Sequence, residues 1–275
     1  SYSFVSFDPR GVSRSSAVKC YDAAKTDEFL YSAANYEPGS PEDLKESRAE
    51  MAKFAEACKQ NTGEVLGHVD TVSAAKDMDV IRAVLGEDKL DYLGFSYGTF
   101  LGSTYAALFP DKVGRFVLDG AIDPRVSDEQ QSLDDYLKDC LKNQADCPFH
   151  GTFASAQAEV RKFLRDMETK KLPTGDGRKL TGPAALTGLI MALYSDDYWP
   201  YLTDAFNQAF EKDGTTFIQL ADFYNDRTSD GRYTGNSLEA NIAVNCLDSR
   251  SSADPSAMEA QNRRLLAAAP ILGRY

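Results

Sequence analysis

The sequence predicts an α/β fold: a parallel sheet in the first part of the chain, then a run of helices. Three observations lead there. Up to residue 124, short apolar runs alternate with helix-spaced segments, the rhythm of parallel strands joined by crossover helices. From Ser127 to Ala268 helical spacing continues, and no convincing strand interrupts it. Within the first part, Gly94-Phe95-Ser96-Tyr97-Gly98 stands where an apolar run gives way to a helical one.

Ser1–Phe7 reads as a strand with no methionine before it, so these residues are expected to be part of a longer or processed chain. Asp8-Pro9-Arg10-Gly11 breaks that strand, since proline offers no ladder N–H and glycine turns freely. Residues 21–41 are mixed and close on the loop Pro38-Gly39-Ser40-Pro41. Glu42–Lys59 sets Leu44, Met51, Phe54 and Ala55 on one side of a helix. Thr71 or Ser73 is placed to cap the next helix, along which Met78, Ile81 and Leu85 recur and which Gly86 ends. Lys89–Phe95 is a second strand. Thr99–Phe109 is a helix apolar enough to be buried on most sides, and Arg115–Leu118 is a third strand, ending at Asp119-Gly120. The later helices are predicted at Leu133–Asn143, Phe153–Thr169, Pro183–Tyr194, Trp199–Phe210, Phe217–Tyr224, Leu238–Cys246 and Ala257–Ala268. The organisation that follows is a core over 1–124, a helical cap over 125–255, and a return toward the core over 256–275.

With 275 residues, 43% of them hydrophobic, the chain can bury a core. Its net charge of −12 argues against nucleic acid or an anionic membrane as partner and suits a cationic ligand, such as the free amino terminus of a peptide. No run approaches the ~18 apolar residues that a spanning helix needs. Five cysteines and two histidines include no CxxC pair, so no metal site is expected, and no cofactor is implied. Cys140 and Cys147 flank a short polar loop and suit a small disulfide; Cys20 and Cys58 suit a second, leaving Cys246 over. Bridges would place the protein in an oxidising compartment, whereas five reduced thiols would suit the cytosol.

Gly-x-Ser-x-Gly at a strand end that opens a helix is the pattern of a nucleophile elbow. The turn is so tight that the serine takes a strained conformation, and a β-carbon on Gly94 or Gly98 is expected to strike neighbouring backbone. The turn lifts Ser96 Oγ above the sheet edge and aims the Tyr97 backbone N–H at a developing oxyanion.

Gly94-Phe95-Ser96-Tyr97-Gly98-Thr99, Phe109-Pro110, Val117-Leu118-Asp119-Gly120 with Asp123-Pro124, and Phe7-Asp8-Pro9-Arg10-Gly11 with Ser13, Ser15 and Cys20 resemble the α/β-hydrolase serine peptidases. The likeness is to actinobacterial secreted tripeptidyl aminopeptidases and their cell-envelope protease relatives. It implies an α/β-hydrolase fold with a helical lid, export across the membrane, and a Ser-Asp-His triad with Ser96 as nucleophile. The chain would act as an exopeptidase on free amino termini, with an esterase or lipase-like hydrolase, or an inactive binding scaffold, as alternatives. The family's sheet order places Ser1–Phe7, Lys89–Phe95 and Arg115–Leu118 as strands four to six. The Gly-rich oxyanion strand, strand three, and the loops bearing the triad acid and histidine are expected in remaining segments of the same fold. His68 precedes Ser96, and His150 falls in the lid, so neither is assigned as the base. Asp119 ends the sixth strand, ahead of the family's usual acid position. Glu239 and Asp248 are the candidates to hold the substrate's ammonium group. Leu272-Gly273 resembles a step after which the family carries a cysteine, so the partner of Cys246 is expected beyond Tyr275.

Overall fold

The computed structural model describes residues 3–37, 39–121, 128–143, 145–249 and 254–274. In chain order it forms α1 (Ala23–Tyr31), α2 (Pro41–Thr62), α3 (Thr71–Val84), β1 (Leu90–Phe95), α4 (Tyr97–Leu108), β2 (Val113–Asp119), α5 (Asp128–Asn143) and α6 (Phe153–Thr169). Then come β3 (Leu172–Pro173), β4 (Lys179–Leu180), α7 (Gly182–Ala192), α8 (Trp199–Phe210), α9 (Thr215–Tyr224), α10 (Ser237–Asp248) and α11 (Pro255–Ala268). Every helix expected after residue 127 is present. Among the described residues no helix is long and apolar enough to cross a membrane.

Two compact units interleave along the chain: Ser1–Cys20, Ala55–Arg125 and Gly235–Ser251 in the first, Tyr21–Phe54, Val126–Thr234 and Ser252–Tyr275 in the second. The linear organisation expected from sequence differs, since α10 joins the strand-bearing unit and α1 joins the helical one. The expected boundary at 124 and the Asp123-Pro124 step lie outside the described residues.

In the first unit β1 and β2 pair in parallel, from Leu90 opposite Val113 to Phe95 opposite Asp119, with α4 as the crossover. Ala74, Ala75 and Met78 of α3 pack with Leu101 and Tyr105 of α4, and Leu90, Tyr92, Val113 and Phe116 of the strands close around them. Arg10 grips Asp77 of α3 through two nitrogens, at 2.7 and 2.5 Å, and reaches the His68 carbonyl at 3.0 Å. The turn that Arg10 belongs to needs Gly11, whose φ is +84° and whose absent β-carbon would sit 2.7 Å from Val69 Cγ1. Asn236 holds the same turn, donating to the carbonyls of Gly11 (2.8 Å) and Val18 (3.0 Å) and accepting from Ser13 N–H. Cys20 and Cys58 form a disulfide.

Four expectations are corrected in these elements. Ser3–Phe7 is not a strand; Phe4 and Val5 are exposed, and among the described residues no strand pairs with it to supply the ladder that defines one. The cap of α3 is Asp70, which accepts from Ser73 N–H at 2.8 Å, because a carboxylate one residue earlier reaches the orphan N–H groups. The buried stripe of α3 is Ala74, Ala75 and Met78, and Leu85 is exposed; in α2 Leu44, Met51 and Ala55 are exposed while Phe54 and Cys58 are buried. Finally, α4 is buried along one stripe, Thr99, Leu101, Gly102 and Tyr105, with Phe100 and Leu108 exposed. Apolar composition gave no direction for that stripe; its contacts with α3 and the strands set it.

The second unit is helical apart from the short β3–β4 hairpin, which sequence reasoning missed along with α1. Its core runs through Tyr136, Phe149, Phe163, Phe206 and Phe217, with Phe163 stacked on Phe217 at 5.0 Å. Gly188 of α7 leaves room for the backbone of α9 at Phe217, where a β-carbon would collide with the carbonyl. Phe29 stacks on Phe54 at 4.9 Å. Cys140 and Cys147 form the second disulfide, while Cys246, in the first unit, is free and exposed.

A chain of alternating charge ties distant parts of this unit together. Arg227, 8% exposed, meets Asp27 with two nitrogens at 2.8 Å. Arg178 meets Asp222 with two, at 2.9 and 2.5 Å, and Asp176 at 2.7 Å. Tyr31 has both guanidinium groups near its ring, at 5.6 and 5.8 Å, and Tyr233 donates to Asp27. Burial alone would raise the Asp27 and Asp176 carboxyls. Hydrogen bonds from Arg227 and Tyr233 hold Asp27 below its ordinary value, and those from Thr174 and Arg178 hold Asp176 down to about 2.

A carboxylate depressed in the folded state stabilises that state above its unfolded pKa and loses the contribution as pH falls through the folded one. Urea melts should therefore give stability that is level above about pH 5 and falls between about pH 4 and 2. Asp27→Ala leaves Arg227 the longer 3.8 Å pair with Asp222 and should cost about 2 kcal/mol, below the fully buried figure because of that second partner and because the Asp27 side chain is 34% exposed.

Candidate active site

β1 ends at Phe95 and α4 begins at Tyr97, so one residue makes the whole reversal. Ser96 does this at φ +48°, ψ −118°, outside the ordinary helix and strand regions. Such a conformation costs about 1–3 kcal/mol and persists only where its surroundings impose it. Here they do. Ser96 N–H donates to the Asp119 carbonyl at 3.0 Å, and the Ser96 carbonyl accepts from Thr99 N–H (2.9 Å) and Thr99 Oγ1 (2.7 Å). With its backbone held, the exposed side chain of Ser96 makes no cap bond with α4.

A β-carbon on Gly94 would lie 2.5 Å from the Gly98 carbonyl oxygen, as the strained turn requires. Gly98 is corrected: a β-carbon there would meet the Tyr92 hydroxyl at 3.2 Å, a side chain and not backbone. Tyr92 went unrecognised in the sequence. Its hydroxyl donates to the Gly98 carbonyl at 2.8 Å, and its ring fills the space that Gly94 and Gly102 leave open. The available signal was strand alternation, which sets Tyr92 on the same side as Gly94.

Tyr97 occupies the first position of α4, where the backbone N–H has no intrahelical acceptor and the helix end is partly positive. Its side chain reaches the start of α3, with Tyr97 Oη 2.6 Å from Thr71 Oγ1. Asp248 lies there too, accepting from Thr71 N–H at 2.8 Å and from the Thr71 hydroxyl. Burial, then the charges of Asp248 and Asp70, pushes the Tyr97 hydroxyl above its ordinary pKa, against the hydrogen bond with Thr71. Thr71 was read as a cap; its link to Tyr97 has no signal in local sequence.

The two amine-binding candidates are placed differently. Asp248 is joined to the elbow through Thr71, and both of its oxygens are engaged there. Glu239, in the first turn of α10, is half-buried, and burial raises its carboxyl above the usual range. No bond among the described residues joins Glu239 to Ser96. The side chains of His68 and His150 are exposed, and His68, in the same unit as Ser96, makes no bond to it. Asp119 meets Ser96 only through its backbone. Among the described residues no group of three or more His, Cys, Asp or Glu side chains could hold a metal ion.

Comparison with known proteins identifies the family. Residues 1–146 match the family model described as the alpha/beta hydrolase fold. The chain is 37% identical to serine protease Hip1 of Mycobacterium tuberculosis over 98% of its own length and 55% of that protein's. It is 34% identical to a tripeptidyl aminopeptidase of Streptomyces lividans, covering 96% of the chain and 50% of the relative. Carboxylesterase B of Mycobacterium tuberculosis is 35% identical, with 98% and 54% covered. The chain thus spans about half the length of the curated relatives it matches.

The two glycines should separate on substitution. Gly94→Ala sets a β-carbon against backbone and should cost about 1–3 kcal/mol in a urea melt. Gly98→Ala asks only the Tyr92 hydroxyl to yield by a few tenths of an ångström and should cost under about 1 kcal/mol beyond the gain in helix propensity.

Proposed function

Since the chain belongs to the alpha/beta hydrolase fold family, we propose that it carries the nucleophile of a serine peptidase that releases short peptides from free amino termini. The observation behind this reading is Ser96 held at φ +48° between β1 and α4, with the Tyr97 N–H beside it at a helix start. Ser96 Oγ attacks the scissile carbonyl, giving up its proton to a histidine base. The Tyr97 N–H receives the charge that forms on the carbonyl oxygen. The tetrahedral intermediate collapses as the scissile C–N bond breaks and the histidine hands that proton to the leaving amine, and water then hydrolyses the acyl-enzyme. In this reading the base, its acid partner and the second oxyanion donor come from other segments of the protein.

The tripeptidyl aminopeptidase relative favours peptides with a free amino terminus as substrate. Glu239 is the proposed partner of that ammonium group: a half-buried carboxylate with no cation bonded to it among the described residues. Asp248 is the weaker candidate, because Thr71 engages both of its oxygens. The carboxylesterase relative supports ester hydrolysis as a second reading, since the elbow serves both chemistries. The two disulfides suit an extracellular or cell-envelope location.

A fluorophosphonate applied to the full-length protein should label Ser96, and Ser96→Ala should lose label and at least ~10³-fold in kcat. An unlabelled wild type would favour an inactive scaffold. Glu239→Gln should raise KM for peptides with a free amino terminus about 10-fold or more, leaving blocked esters unchanged. Equal effects on both substrates would remove Glu239 from amine recognition.

A further inference from the structure

Three side chains far apart in sequence form a one-way relay that starts at Tyr97, the residue next to Ser96, and ends on Asp248. A carboxylate can only accept, so Asp248 takes Thr71 N–H on one oxygen and the Thr71 hydroxyl proton on the other. Thr71 has no second proton to give. Its Oγ1 must therefore accept from Tyr97, which orders the chain as Tyr97 O–H to Thr71 O–H to Asp248. Thr71 is 1% exposed, so water does not readily replace a lost partner.

We propose that Asp248 and Thr71 are positioning residues that hold the Tyr97 peptide N–H where the oxyanion forms; this rests on the reading of Ser96 as nucleophile. Ser96 stores strain immediately before Tyr97, and relaxing it would turn the Ser96–Tyr97 peptide. Any such turn must also move the Tyr97 side chain. That side chain is moored at its far end to the start of α3, a helix that Arg10 and the core fix in turn. The Tyr97 hydroxyl is committed to Thr71, so it is not the oxyanion donor; the peptide N–H is. Asp248, at the end of α10, completes the anchor across 177 residues of sequence.

The test uses the full-length protein. Ser96 labelling by a fluorophosphonate is timed, and kcat and KM are measured on a free-amino-terminus peptide and on a small neutral ester without an amine. Tyr97→Phe, Thr71→Val and Asp248→Asn should each lower labelling rate and kcat about 10- to 100-fold on both substrates. KM should move by less than about twofold, because a transition-state interaction is what is lost. Thr71→Ser, which keeps the hydroxyl, should restore the rate. Tyr97→Phe with Thr71→Val should lose little more than either alone, as members of one chain do. Tyr97→Phe keeps the ring and every backbone group, so it decides the matter if another variant fails to fold. Wild-type rates in Tyr97→Phe, or equal losses in Thr71→Ser and Thr71→Val, would overturn the proposal. An Asp248→Asn effect confined to KM for the peptide would overturn it in favour of amine binding by Asp248. If wild-type Ser96 is labelled and the variants are labelled as fast, only this proposal fails. If wild type is not labelled at all, the nucleophile reading fails and takes the proposal with it.

Discussion

Everything at the elbow depends on reversing the chain in one residue. A strand and a helix joined without a loop leave Ser96 no ordinary backbone conformation, and its positive φ must be imposed from outside. Three things impose it. Asp119 fixes the serine's N–H from the neighbouring strand, Thr99 fixes its carbonyl from the helix, and Gly94 lets the Gly98 carbonyl come within a distance that no β-carbon allows. Tyr92 then fills the space the glycines leave and bonds to the same carbonyl. The parallel register of β1 and β2 is what brings Asp119 opposite Phe95, next to Ser96, so sheet pairing and elbow geometry are one constraint.

Charge organises the surroundings of that turn. The start of α3 presents unpaired N–H groups, and two carboxylates converge on it, Asp70 from its own chain segment and Asp248 from α10. Arg10 grips the outward Asp77 of the same helix. A protein of net charge −12 thus spends some of its carboxylates on structure, at helix ends and opposite arginines. The second unit does likewise, alternating Asp27, Arg227, Asp222, Arg178 and Asp176. Composition alone cannot separate such carboxylates from those that meet a ligand. Asp248 and Glu239 look alike in sequence, yet one is engaged by a threonine and the other is half-buried without a cation bonded to it among the described residues.

The sequence by itself determined the α/β class, the places of β1, α4 and β2, and the series of helices from Asp128 onward, because periodicity and turn residues are local properties of the chain. It also showed where the strand-to-helix turn falls, since Gly94 and Gly98 bracket Ser96 there and Gly94 sits too close to backbone for any β-carbon. Both disulfides were legible as pairs. What it could not determine was which side of each helix is buried. Leu85, Phe100 and Met51 are as apolar as Met78 and Leu101, and only the packed neighbours choose between them. Ser3–Phe7 has strand composition but pairs with no strand among the described residues, and a ladder needs two partners. The Tyr97–Thr71–Asp248 relay was equally invisible, because its members meet only after α3, α4 and α10 have packed; hydrogen bonds between side chains 26 and 177 residues apart leave no periodic trace along the chain.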